Sequence, residues 1–222
     1  MKKVLEQAAR LQKLVPDAVL VGGSAASLYA EHRYSVDHDH VITDLDERFD
    51  LILDSLEREG DWVTNRVVYG KIILEELGGI EAGIRQLIRK KPLEFQKIQI
   101  DELFLNVPTM EEIIRIKAFL IVKRNQVRDY LDFAALSHKT GALASAKIIE
   151  HLDEYYSDDS QNEKPVLSQI LRQLSEPMPK DFRSIEQLPN YKETIDKWKD
   201  WNFIAETCRS VAKMVMGANS NA

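Results

Sequence analysis

Two carboxylates two residues apart, Asp37 and Asp39, follow Gly22, Gly23 and Ser24 at a distance of about a dozen residues. Residues 18–21 read as a short apolar strand that delivers the glycines to the start of a helix running to about His32, with Ser24 as its N-cap. Unpaired backbone amides and the helix dipole at such a start favour an anion such as a triphosphate tail. Residues 36–42 alternate as a strand, so Asp37 and Asp39 leave one face while His38 and His40 leave the other. Like charges this close repel unless a cation lies between them, and oxygen ligands beside phosphates suit Mg²⁺, or Mn²⁺. The alternation opposes a single metal site built from His32, Asp37, His38, Asp39 and His40; two core-facing histidines that make hydrogen bonds are expected instead. Glycine pairs and D-x-D spacings are each common, whereas the two in this order are much more specific.

Positioning these groups requires a sheet and its flanking helices. Val4, Leu5, Ala8 and Leu11 are at helical spacing before Pro16. Asp44 with Glu47 three residues on predicts a capping-box helix to about Glu59. Strands are expected over 62–69, 71–77 and 80–87, with Gly78 and Gly79 as a hairpin turn, and one more strand within 95–107. Thr109 and Glu112 open a helix to about Arg124, and a second helix over 127–139 stops at Gly141. Residues 153–164 read as a linker, followed by a short helix from Val166 and a longer apolar stripe over 195–215. The order of elements indicates an α+β fold with a mixed sheet, an α/β core over 1–140 and a helical extension over 141–222.

Composition narrows the function classes. The 222 residues are 44% apolar and 30% charged, enough for a sizeable core. No apolar run approaches the length of a membrane span, no signal peptide is evident, and the single Cys208 suits a reducing compartment, so a cytoplasmic protein without membrane partners is expected. The net charge of −6 opposes general nucleic-acid coating. It is uneven: residues 44–61 hold eight acids against two arginines, while 85–92 and 115–128 hold nine cations and no acid. Those basic runs are compatible with a phosphate-bearing ligand, although solvated helix faces are the plainer reading from charge alone.

The Gly-Ser turn followed by Asp-x-Asp resembles the nucleotidyltransferase superfamily of polymerase-β type. More narrowly, residues 107–136 resemble the AbiEii/AbiGii toxin branch, whose lysine, arginine and Arg/Lys-Asp-x-x-Asp positions are here Lys117, Arg124, Arg128, Asp129 and Asp132. The resemblance covers about residues 18–140. It implies transfer of a nucleoside monophosphate from an NTP to a hydroxyl acceptor, with Asp37 and Asp39 on the metal ions. It also implies a third carboxylate, for which Glu81 is the candidate and Glu75 the competitor, Asp101 being less suited. Glu81 would complete the metal site or take the acceptor proton. Gly22, Gly23 and Ser24 would hold phosphates, and Lys117 with Arg124 or Arg85 would clamp the triphosphate. Asp129 and Asp132 read equally as site residues or as partners of Arg128 and caps of their helix. A toxin acting on tRNA or other RNA, with a cognate antitoxin, is the implied biology; a protein or small-molecule acceptor, or a non-catalytic nucleotide-binding module, are the alternatives. His38 and His40 depart from the family's usual hydrophobic or aromatic residues.

Overall fold

The computed structural model describes residues 1–89, 91–156 and 164–219. It is α+β, with a mixed sheet flanked by helices, as expected. Helices α1 (Lys2–Leu14), α2 (Gly22–Ala30) and α3 (Phe49–Glu57) are interleaved with strands β1 (Val19–Val21), β2 (His38–Ile42), β3 (Trp62–Val68), β4 (Ile72–Leu77) and β5 (Ile80–Gln86). A ribbon of β6 (Phe95–Ile100) and β7 (Leu103–Pro108) precedes α4 (Met110–Arg124), α5 (Val127–Thr140), α6 (Ala142–Ile149), α7 (Leu152–Tyr155), α8 (Val166–Ser175) and α9 (Trp201–Asn219).

The chain forms two compact units: Met1–Leu28, Ser35–Ile88 and Leu93–Thr109 in one; Tyr29–Tyr34, Arg89–Pro92 and Met110–Ala222 in the other. This division by contacts is not the division at residue 140 drawn from resemblance, because α4 and α5 pack with α6, α8 and α9.

In the first unit the sheet runs β1-β2-β5-β4-β3, with β2 and β5 parallel and the other pairs antiparallel. Gly78 and Gly79 both take positive φ, +58° and +78°, which is what a two-residue turn of this hand demands between β4 and β5. One sheet face is a dry core: Ile42, Ile73, Leu77, Ala82 and Ile84 pack with Leu11 of α1 and Phe49, Ile52 and Leu56 of α3. Asn106 of β7 locks the ribbon to α1 and to the start of β1. Its backbone exchanges hydrogen bonds with the Gln12 side chain (2.7 and 3.0 Å), and its amide donates to the Pro16 carbonyl (2.9 Å).

Several local expectations are corrected. α3 starts at Phe49, not Asp44: the Asp44 carboxylate is held by Arg48 (2.6 Å), so it does not cap the helix, and residues 45–47 form a turn. Residues 95–108 hold two strands, because Asp101 takes a positive φ of 53° and reverses the chain without a glycine. A 3-10 turn, Asp196–Lys199, stands before α9, which begins only at Trp201. The linker expected over 153–164 begins inside α7, and its 157–163 portion lies outside the described residues.

Candidate active site

β1 runs straight into α2, so Gly22 is itself the first helical residue, with φ +72°. Ser24 is therefore inside the helix and is not its N-cap. Its buried hydroxyl donates to the backbone carbonyl of Asp37, which pins the end of α2 that bears the glycines to the approach of β2. Asp37 lies one residue before β2, and its Oδ1 accepts from the Ser35 hydroxyl at 2.8 Å. With the Ser24 hydroxyl committed to Asp37 O, the groups that an anion at this turn would meet are the backbone amides of the first helical turn.

Asp39 has a tighter seat. A Cβ placed on Gly22 would come within 3.1 Å of Asp39 Oδ2, and one on Gly83 within 3.0 Å of Asp39 Oδ1 and of Leu74 Cδ2. Two glycines therefore open the space that the carboxylate fills. Strand register puts Asp39 level with Gly83, and Val41 level with Arg85, on one face of the sheet. Arg85 Nε stands 3.8 Å from Asp39 Oδ1, with the two side chains 44% and 34% exposed. Glu81 is exposed on the same face, two residues before Gly83 and opposite Glu76. Among the described residues, however, no group of three or more His, Cys, Asp or Glu side chains is placed to hold a metal ion.

The same register removes Glu75 as the competing third acid. Glu75 lies opposite Ala82, which lies opposite His38, so it belongs to the other face. There Glu75, His38 and His40 are 1% exposed or less. Both carboxyl oxygens and all four ring nitrogens lack a hydrogen-bond partner among the described residues, which corrects the expectation of hydrogen-bonded core histidines. Burial pushes the Glu75 carboxyl up to about 9 and the His38 ring down to about 4, and it drives His40 well below the ordinary histidine range. All three are neutral near pH 7.

The helical unit holds the other sequence-predicted residues. Lys117 is 2% exposed, and its Nζ donates to Asp132 Oδ2 at 2.8 Å. Asp132 also accepts from Arg33 (Nε 2.9 Å, Nη2 3.1 Å) and from His32 Nε2 (2.8 Å). Burial alone would raise the Asp132 carboxyl, but Arg33 and Lys117, with His32, hold it well below the usual range. His32 is lowered by burial, which outweighs its bond to Asp132, so the neutral ring donates through Nε2. Asp129 is buried and binds Arg124 Nη2 at 2.6 Å; Arg128 reaches the Gln126 side chain at 3.0 Å. Asp129 and Asp132 thus neither pair with Arg128 nor cap α5, whose N-cap, Gln126, makes no side-chain cap bond.

The basic runs are largely neutralised. Arg89 and Arg115 share the buried Glu112, and Lys91 pairs with Glu154; Lys90 lies outside the described residues. Three residues of consequence were not picked out by sequence reasoning. Gly83 carried a signal, since a lone glycine in a strand marks a close approach. Ser35 and Arg33 carried none, because their roles depend on which carboxylate the fold brings near.

Comparison with known proteins gives a family and a fold. The family described as "Nucleotidyl transferase AbiEii toxin, Type IV TA system" matches residues 3–212, well past the stretch that carries the resemblance in sequence. The crystal structure of ANT(2″)-Ia in complex with adenylyl-2″-tobramycin superposes with a TM-score of 0.50 at 14% identity, covering 68% of this chain and 97% of that one; the likeness is one of fold. An antigenic nucleotidyltransferase-like protein from Paracoccidioides brasiliensis gives 0.47 at 16% identity, over 77% and 93% of the two chains. Among curated proteins, the heme uptake protein MmpL11 of Mycobacterium tuberculosis is 26% identical over 95% of this chain, which spans 22% of that protein's length. No helix among the described residues is long and apolar enough to cross a membrane. With 3–212 matched, the chain belongs to the AbiEii family of nucleotidyl transferase toxins.

Proposed function

We propose that the chain moves a nucleoside monophosphate from an NTP to a hydroxyl of RNA, tRNA foremost, in a Mg²⁺-dependent reaction in the cytoplasm. The observation that carries this reading is the Asp37–Asp39 pair beside the N-terminus of α2, with Asp39 seated between Gly22 and Gly83. The donor set is oxygen-only and partly exposed, which fits Mg²⁺; Asp37 and Asp39 would hold it, with Glu81 on the same face as third acid. When bound, the cation neutralises phosphate charge that grows during transfer. The amides of Gly22, Gly23 and Ser24 receive phosphate oxygens. Glu81 accepts the proton of the acceptor hydroxyl as its oxygen bonds to the α-phosphorus and pyrophosphate departs. Arg85 offers an exposed guanidinium on the same face. Within the helical unit Lys117 is held by Asp132 and Arg124 by Asp129, so a part for Lys117, Arg124 and Arg128 on the triphosphate tail is supported by the family resemblance alone. Membership in a toxin–antitoxin family leads us to infer a cognate antitoxin, which should relieve growth arrest on co-expression.

Incubation with each α-³²P-labelled NTP, Mg²⁺ and total bacterial RNA tests the reading. Label should enter RNA with the native chain and fall roughly 10²- to 10³-fold with Asp37→Asn or Asp39→Asn, a typical scale for loss of charge stabilisation at a reacting centre. Undiminished labelling by folded variants would remove these residues from the mechanism. Label in protein or small molecules would reassign the acceptor. A second reading, a non-catalytic nucleotide-binding module, is favoured by the missing three-ligand metal group among the described residues. Mg-NTP binding with no label in any acceptor would establish it.

A further inference from the structure

Most cations in the helical unit's basic runs are held by carboxylates, but three cations elsewhere in that unit are not. Lys164, Arg172 of α8 and Lys180 surround a recess of about 290 Å³, all three exposed and none ion-paired among the described residues. Asn125 and Gln173 line the same recess, and Glu176 is the one acid in its wall among the described residues, which leaves an excess of two positive charges among them. The recess lies at the C-terminal end of α4, where free carbonyls would repel an anion. Two carbonyls at this end are engaged: Ile121 O accepts from Gln173 Nε2 (3.3 Å) and from the Asn125 backbone amide (2.9 Å), and Asn125 O, just past the helix, accepts from the Lys180 amide (2.8 Å). Asn125 Nδ2 in turn donates to Met178 O (3.0 Å), which fixes the segment that carries Lys180. The recess is thus shaped by backbone contacts and left with cations that repel one another until an anion enters.

We propose that this recess binds a phosphate group, either a phosphodiester of a polynucleotide or a free phosphate-bearing molecule. The site is separate from Asp37 and Asp39, and its test requires no turnover. Three cations on one phosphate account for their excess over the single acid Glu176, and the Asn125 and Gln173 amides set its rim.

The test is fluorescence anisotropy of a labelled single-stranded RNA in EDTA, with parallel thermal-shift titrations of ATP and inorganic phosphate. The native chain is compared with Lys164→Gln/Arg172→Gln/Lys180→Gln and with Glu176→Gln. A polynucleotide in the recess should bind roughly tenfold more weakly to the triple variant, with the salt slope reduced by about 0.7, the contribution of one single-strand phosphate contact. Loss confined to ATP or phosphate would assign a small-molecule anion. In either case Glu176→Gln should tighten binding severalfold, a gain that misfolding cannot mimic. Binding by the folded triple variant equal to the native chain in every arm, or no binding of any probe by the native chain, would overturn the proposal. Failure of RNA labelling with this binding intact would count against the proposed transfer reaction alone.

Discussion

Glu75 and Asp132 are each 1% exposed, yet their surroundings oppose one another. Glu75 lies on the core face of β4 with no partner for either oxygen among the described residues, and burial pushes its carboxyl up to about 9. Asp132 lies among α4, α5 and the 29–34 segment, where Lys117, Arg33 and His32 fill its lone pairs and keep it ionised despite the same burial. Burial alone therefore does not decide charge; the cations at hydrogen-bond distance do. The contrast extends to the site. Asp37 and Asp39 alternate along one segment with His38 and His40, and the two pairs meet different surroundings. The Asp37 carboxylate accepts from the Ser35 hydroxyl and Asp39 faces Arg85, both partly exposed, while the histidines meet a core that neutralises them.

The largest effect should come from removing the charge that Lys117 and Arg33 share. Asp132→Asn leaves a buried ammonium without its counter-ion, and breaking a buried pair on one side costs about 3–5 kcal/mol. Urea unfolding at pH 7 measures it. Adding Lys117→Met should recover part of the loss, since Arg33 is 12% exposed and can turn to water. A single variant within 1 kcal/mol of native would mean that the ion pair contributes nothing to the fold.

Glu75 should show the opposite dependence on pH. Its folded pKa is raised, so the native state holds a proton that the unfolded chain releases above about 4.5. Native stability from this group is fully present below that value and falls as pH rises, by up to about 1.4 kcal/mol per unit, until about 9. Glu75→Gln removes the titration. The native chain should lose stability relative to the variant between pH 5 and pH 8, as read from denaturation midpoints; parallel pH profiles would show that Glu75 finds a partner in solution.

The parts of the fold legible in sequence are those set by local chemistry. Gly78 and Gly79 specify their turn, Gly141 ends α5 with its amide on Ser137 O (2.8 Å), and strand alternation sends Asp39 and His40 to opposite faces. That Gly22 and Ser24 come together with Asp39 and Asp37 was legible because the four lie within one short stretch. What was not legible depends on distant partners. Lys117 reads as a conspicuous charge among isoleucines, but His32 and Arg33, which complete its network through Asp132, stand 100 and 99 residues from that acid. Asp44 with Glu47 satisfies a capping pattern, yet Arg48 competes for the Asp44 carboxylate. The basic runs failed as a surface signal for the same reason. Charge patterning counts cations but cannot tell that Arg89 and Arg115 close on Glu112.

The smallest of these effects sharpens the contrast between the two faces of β2. Gly83 is in ordinary extended backbone, so alanine there brings no conformational strain, only a methyl where Asp39 Oδ1 and Leu74 Cδ2 already stand 3.0 Å away. Leu74 can swing aside at modest cost, whereas Asp39 is confined on its other side by Gly22. Gly83→Ala should therefore cost about 1–2 kcal/mol in stability, within the range for mild overpacking. It should displace the Asp39 carboxylate and lower nucleotidyl transfer more than stability alone explains, roughly tenfold or beyond in kcat. Ala82→Gly, one residue away on the core face, is the control: it removes a buried methyl and should cost about as much stability while leaving Asp39 in place. Equal activity losses in the two variants would show that the glycine seat does not position Asp39; a loss confined to Gly83→Ala would tie the carboxylate's placement to a single missing methyl group.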